Sequence, residues 1–307
     1  MLTIFTRRFI QLLFVLWGVS TLIFFLQRLV PGSPADAVLG PDAADADKLI
    51  WLARYGLDKP LLSQYISFFK DLFHGSLGYS YRSYTPVVSI ILPRFVETLK
   101  LAFVAFLFSL IVAGILGVWS AARQNQGVDK FLALLSLVTV SAPSFVMGPA
   151  LLWLFSLHWD IFPLMGYEEG PRGYVLPCAT LGASLAALTS RLIRSGLVDV
   201  LNEDYIRTAK SKGLSTLRIL LVHALRNALL PTLTVLGMQL GVLLGGTVIT
   251  EQIFNWPGMG SLVVEAVQQR EYNIVSGCVL CMATTYVLCN LTVDLLARAL
   301  DPRLRIS

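Results

Sequence analysis

Charge is scarce in this chain. Only 14% of its 307 residues are Asp, Glu, Lys or Arg, 55% are hydrophobic, and the mean hydropathy is +0.69. A soluble domain carries about 25% charged residues, so too little polar surface is present to cover a water-soluble globule. Histidine is scarcer still. His74, His158 and His223 lie far apart, and no His-Glu-x-x-His run exists that would bring zinc to a helix face. A Gly-x4-Gly-Lys-Ser/Thr phosphate loop is also missing, which excludes a P-loop nucleotide site in this chain. The four cysteines imply no disulfide framework. Cys278, Cys281 and Cys289 share one helical stripe, but with no histidine or acid beside them they read as small packing residues. No metal ligand and no catalytic residue is assigned.

Long apolar runs are what the chain does have. A membrane span needs about 20 mostly apolar residues, and six windows qualify: about 9–30, 97–122, 131–157, 174–195, 229–250 and 273–297. The fourth is the weakest, thinned by Pro177 and several small residues. The first follows Arg7 and Arg8 as a signal peptide would, but its apolar run is too long and no small-x-small cleavage site follows, so it stays a span. The reading is therefore an all-α membrane protein with six transmembrane helices.

Basic residues orient it. With the N-terminus inside, the inside segments hold 14 Lys/Arg and six Asp/Glu, net +8, and the rest of the chain is net −3. Loops rich in Lys and Arg remain cytoplasmic, so both termini are expected inside. The basic balance is thus a topology signal. Nucleic-acid binding would require that charge on one soluble face with stacking aromatics.

Three regions divide the chain: a first span at 1–30, an outer loop at 31–96, and a five-helix core at 97–307 with an inner loop at about 196–228. The outer loop opens on Pro31-Gly-Ser-Pro34 and holds two short helical patterns, Ala43 to Tyr55 and Pro60 to Phe73. In the fifth span Gly237, Gly241 and Gly245 form a small-x-x-x-small ridge, which lets helices approach backbone to backbone. Gln239 is that span's lone strongly polar side chain. It either makes a packing hydrogen bond or lines a water-filled path.

The inner loop carries the most specific pattern. Asp204-Tyr-Ile-Arg-Thr-Ala-Lys-Ser-Lys-Gly213 begins with capping and acidic groups, where the helix dipole favours them. Tyr205, Ala209 and Gly213 then recur at i, i+4 and i+8, a face tapering from an aromatic ring to bare backbone. Arg207, Lys210 and Lys212 point elsewhere. A basic amphipathic helix can lie on anionic lipid. Lipid does not require the taper, which suits a groove on a partner protein.

With His223-Ala-Leu-Arg-Asn-Ala-Leu-Leu-Pro231 following it, this stretch resembles the coupling segment of ATP-binding-cassette importer permeases of the dipeptide, oligopeptide and nickel class, the subunit type with a long first periplasmic loop. The resemblance runs nearly end to end, through Gly56-Leu-Asp-Lys-Pro60 and Gln64-Tyr65, Ser141-Ala-Pro143-Ser-Phe145, Ile253-Phe-Asn-Trp-Pro-Gly-Met-Gly260, Asn290-Leu-Thr-Val-Asp294 and Asp301-Pro-Arg303. Ser33 stands where that class usually has Asp, and Asn273 where Pro is common. The resemblance implies a type I importer fold in a bacterial inner membrane. It also implies coupling to an ATPase through Tyr205, Ile206, Arg207, Thr208, Ala209 and Gly213. Gly237, Gln239, Gly241 and Gly245 are read from the residues alone, as a helix-packing ridge or the edge of a path. The implied partners are a second homologous permease, two subunits that bind the ATP, an extracytoplasmic substrate-binding protein, and membrane lipid. Peptide is the expected substrate; nickel, a metal chelate or glutathione is the alternative. An intramembrane enzyme is the reading from another class, and no facing pair of reactive groups supports it. A proton- or sodium-driven carrier would bury ionisable groups at mid-membrane, and none stands out.

Overall fold

A computed structural model describes residues 2–29, 32–167, 170–215 and 218–300. Pro31 and Asp301-Pro-Arg303 lie outside the described residues, as do the side chains of Arg7, Arg8, Arg226, Pro231, Asp294 and Arg298. The chain is helical: α1 (Leu2–Leu29), α2 (Pro34–Leu39), α3 (Asp45–Arg54), α4 (Leu61–Phe73), α5 (Val87–Ala122), α6 (Gly127–Ser141), α7 (Ser144–Leu152), α8 (Val175–Leu201), α9 (Asp204–Ser211), α10 (Leu225–Ile253), α11 (Met259–Gln268) and α12 (Tyr272–Leu300). Among the described residues, four helical segments are long and apolar enough to cross a membrane: Ile10–Leu29, Val87–Ala122, Gly170–Leu201 and Tyr272–Val293.

The third apolar window is not one straight helix. Residues 127–141 and 144–158 meet at 107°, because Pro143 lacks the N–H that would continue α6 and pushes Ala142 into extended backbone. Taken as one broken span, this pair is the fifth crossing. The fifth window falls in α10, 29 residues long, about 43 Å at 1.5 Å per residue. The second span begins ten residues earlier than hydropathy suggests, at Val87, with Pro93 inside it.

Contacts group the residues into two units, 1–97 with 257–285 and 98–256 with 286–307. In the second unit α8 is central, packed against α6 and α10; 67% of its apolar window is buried, against 17% for Ile10–Leu29. The small residues that weaken its hydropathy are what permit this. A Cβ on Gly182 would stand 2.9 Å from the Ala105 carbonyl oxygen of α5, and one on Gly196 2.9 Å from that of Ala228 in α10. Lipid supplies no hydrophobic drive between helices, so such close approach provides the packing energy. In the first unit Val87, Ile91, Met259, Leu262, Ile274 and Cys278 form an apolar cluster.

Within the first unit, Ser33 explains one departure from the family pattern. Its hydroxyl accepts from Ala35 N at 3.1 Å and its N–H donates to Asp36 Oδ2, a capping box that starts α2. Glu271 is buried, and it accepts from Ser80 Oγ, Tyr81 N and Arg82 N, each at 2.9 Å. Asn273 adds a bond from Nδ2 to the Tyr79 carbonyl at 2.9 Å. The segment 79–82 is thus fastened by two side chains at the start of α12. Burial pushes the Tyr81 phenol far above its ordinary range.

Candidate functional site

The helix α9 is short because both its ends are specified. Glu203 takes the N-cap position in extended backbone, without a side-chain capping bond. The helix stops at Gly213, whose φ of +76° is left-handed. There Leu214 N donates to Ala209 O at 3.4 Å and Gly213 N to Lys210 O at 2.9 Å, the paired bonds of a Schellman stop. A side-chain-bearing residue in that conformation costs roughly 1–2 kcal/mol.

Its seating differs from the sequence expectation. Ile206 is fully buried and Ala209 is 9% exposed, both inside a cluster with Leu197, Ile219, Leu220 and Ala224. Full burial of the Ile206 side chain contributes about 2 kcal/mol. Tyr205, Ala209 and Gly213 therefore do not make one free face, because the methyl group in the middle is covered by the chain itself. The exposed side carries Tyr205, Arg207, Thr208, Lys210, Ser211, Lys212 and Gly213. The reason is a residue that the i, i+4 reading passed over. A branched apolar Ile206 beside Ala209 at i+3 sets the buried stripe.

Tyr205 is 43% exposed, and its hydroxyl accepts from Asn227 Nδ2 at 2.9 Å. This bond ties α9 to the first turn of α10, across a π-helical turn at Ile219–Ala224 whose Ile219, Leu220 and Ala224 are buried. The exposed Asp204–Arg207 pair at 3.6 Å is of the kind that contributes little.

A second feature of the same unit was not visible in the charge pattern. Asp129 is buried, and both its oxygens are saturated. Arg194 donates Nε to Oδ1 at 2.6 Å and Nη2 to Oδ2 at 2.7 Å, while Ser120 Oγ and Asn125 N supply the remaining donors. This bidentate pair clamps α6 to α8 and to the end of α5.

The residues proposed for a path separate into two groups. Gln239 lines a cavity of about 250 Å³ with Ser144, Thr180 and Ser184, so uncharged hydroxyl and amide groups meet there. Gly237 and Gly241 turn to α12 instead, where Val293 and Tyr286 occupy the space that a Cβ would need. Gly245 is exposed, with nothing near its Cβ position.

The chain matches two described families: the binding-protein-dependent transport system inner membrane component over residues 113–306, and the N-terminal part of that membrane component over residues 1–102. It is 38% identical over 307 residues to the glutathione transport system permease protein GsiC of Escherichia coli O6:H1, covering 99% of both chains. The GsiC of Escherichia coli K12 is 37% identical over the same span, and that of Salmonella paratyphi A 38%. Among solved structures it resembles the inward-facing MetNI methionine ABC transporter, with a TM-score of 0.56 and 14% identity, over 70% of this chain and 97% of that one. That likeness carries the type I importer fold. The chain is thus a multi-pass protein of the bacterial inner membrane that carries substrate without an ATP site of its own, and it belongs to the family of inner-membrane permease components of binding-protein-dependent ABC importers.

Proposed function

We propose that this permease imports short peptides, glutathione-like tripeptides among them, and that α9 is where a separate ATPase subunit drives it. The single observation that carries the coupling reading is the division of α9. Its apolar side is seated in the chain's own core, while Tyr205, Arg207, Thr208 and Gly213 remain exposed beyond that seat. A helix fixed on one side and open on the other transmits a push to the elements it is seated on, here α8 and α10. The phosphate loop absent from the sequence gives the chain a need for such a partner.

In this reading two ATP-binding subunits hold the nucleotide. A second homologous permease completes the path, and an extracytoplasmic binding protein delivers substrate. The cavity at Gln239, lined by Ser144, Thr180 and Ser184, offers hydrogen bonds without fixed charge, which suits an amide backbone. The relatives' glutathione, a tripeptide, falls inside the peptide class.

A photo-crosslinking residue placed at Thr208 in the complete importer is expected to capture the ATPase. The same residue at Asp71, on the other face of the membrane, is expected not to. An ATPase adduct at Asp71, or none at Thr208, would overturn the assignment.

A further inference from the structure

In the first unit, segments 53–59 and 76–81, α4, and the adjoining ends of α1 and α12 enclose a cleft of about 400 Å³. That lies within the roughly 300–1,000 Å³ usual for small-ligand sites. Arg28 lines it. Gln64 Oε1 accepts from Arg28 Nε at 3.1 Å and from Nη2 at 2.9 Å, and the Phe24 carbonyl accepts from Nη1 at 2.8 Å. A guanidinium has five N–H donors, so one remains on each terminal nitrogen. No carboxylate is among these partners, although the guanidinium is partly buried, 3.4 Å above the Phe24 ring.

The arrangement is held from behind. Gln64 Nε2 donates to Leu57 O at 3.0 Å and to Lys59 O at 2.8 Å, which fixes the amide that fixes Arg28. This gives a structural role to the Gly56-Leu-Asp-Lys-Pro60 and Gln64 pattern, for which the coupling mechanism has no use. The lining also holds Arg54 and Lys59, against a single acid, Asp71, with Tyr55 and Phe68 as aromatic wall.

A partly buried cation without a carboxylate favours an anionic partner. Two terminal N–H donors on one planar group match the fork of a carboxylate. We propose that this cleft is an extracytoplasmic subsite for the free carboxylate of a short peptide, which pairs with Arg28 while Asp71 receives the peptide's ammonium group. The proposal rests on the peptide reading above and extends it to a second place on the chain.

The test is saturation-transfer NMR on the complete permease–ATPase complex in phosphatidylcholine nanodiscs, without the binding protein, using trialanine and trialanine amide as probes. Trialanine is expected to give a saturable signal. The amide is expected to bind about tenfold more weakly or worse, the scale of a lost charge-assisted bond. Arg28→Gln should show the same loss, Arg28→Lys a smaller one. Ser67→Trp, which fills the cleft from an exposed position on α4 and leaves Arg28 intact, should abolish the signal even where Arg28 variants fail to assemble. Equal signals from acid and amide, or full binding in Arg28→Gln or Ser67→Trp, would overturn the site. So would a trialanine signal abolished by phosphatidylglycerol, since the cleft would then hold a lipid phosphate. ATP-driven trialanine uptake by the intact importer separates the two ideas. A wild type that imports no peptide fails the function, whereas peptide import with an unchanged Arg28→Gln signal fails only the cleft.

Discussion

Two short stretches of this chain are fastened to its long helices by opposite means. Segment 79–82 is held by polar bonds, three of them converging on the buried Glu271 carboxylate. Helix α9 is held by apolar burial of Ile206 and Ala209, with Tyr205–Asn227 as a polar tie at its exposed edge. The first device is specific and brittle, because removal of one acceptor strands several donors, two of them on the buried Ser80 and Tyr81. The second tolerates change on its outer side, since its hold lies underneath. A surface that must fit a moving partner is better built the second way.

The largest effect is expected where the polar lock is cut. Glu271→Ala should cost several kcal/mol, at roughly 1–3 kcal/mol for each stranded buried donor. It would be seen as a collapse of thermal stability in detergent with protease nicking near 76–86. Glu271→Gln retains an acceptor oxygen and should lose less. Equal stability of Glu271→Ala and wild type would erase the contrast. The Asp129 clamp should behave alike in its own unit: Asp129→Ala leaves Arg194 partly buried and without this partner, at about 1–3 kcal/mol since water reaches part of the guanidinium, and a double Asp129→Leu, Arg194→Met variant should regain part of that loss in the same melting assay.

The apolar seat sharpens the comparison. Ile206→Ala is expected to cost about 2–4 kcal/mol through the cavity left behind, while Tyr205→Ala should change stability by less than about 1 kcal/mol. Parallel melts of the two variants in detergent check the order, and a reversed order would place the seat on the wrong side of α9. The smallest effect concerns Asp36, whose carboxyl is held below its ordinary value chiefly by its hydrogen bond to Lys48. With a depressed folded-state value, that contribution is fully present above the unfolded-state value and is lost as pH falls through the folded one. Asp36→Asn should therefore flatten a slight acid-side slope below about pH 4, and change stability at neutral pH only slightly because water still reaches the pair.

Much of this was legible in the residues, and the remainder fails for identifiable reasons. Apolar length located the spans, because a bilayer imposes it. Its signal is weakest at α8, where small residues lower hydropathy and Gly182 and Gly196 let α5 and α10 approach. The third window, 131–157, reads as one span by apolar length alone, whereas the chain bends there by 107° at Pro143. Trp256, in the Ile253–Gly260 run, is buried, with the rings of Tyr167 and Tyr174 steeply inclined to it. For α9 the position was readable, while the facing was not, since i, i+4 spacing cannot say which of two neighbouring stripes meets the core, and Gly213, read as the far end of a face, instead stops the helix. Glu271 and Asp129 were visible only as charges. The donors to Glu271 and the arginine that pairs with Asp129 lie about 190 and 65 residues away in sequence, beyond the reach of any local pattern. Gln64 and the Gly56–Pro60 run carried a recognisable signature whose mechanical role required Arg28 beside it.

In the proposed function the exposed side of α9 carries the drive from ATP hydrolysis to transport. Gly213→Trp is a blunt probe of it, because that position also needs a positive φ. Tyr205→Ala is cleaner. The deciding measurement is the number of ATP molecules hydrolysed per peptide imported, in proteoliposomes containing the complete importer with its binding protein. The expected result for Tyr205→Ala is a stably assembled complex that retains ATPase activity, loses uptake, and so spends several-fold more ATP per peptide. An unchanged ratio in that same stable complex would contradict the claim.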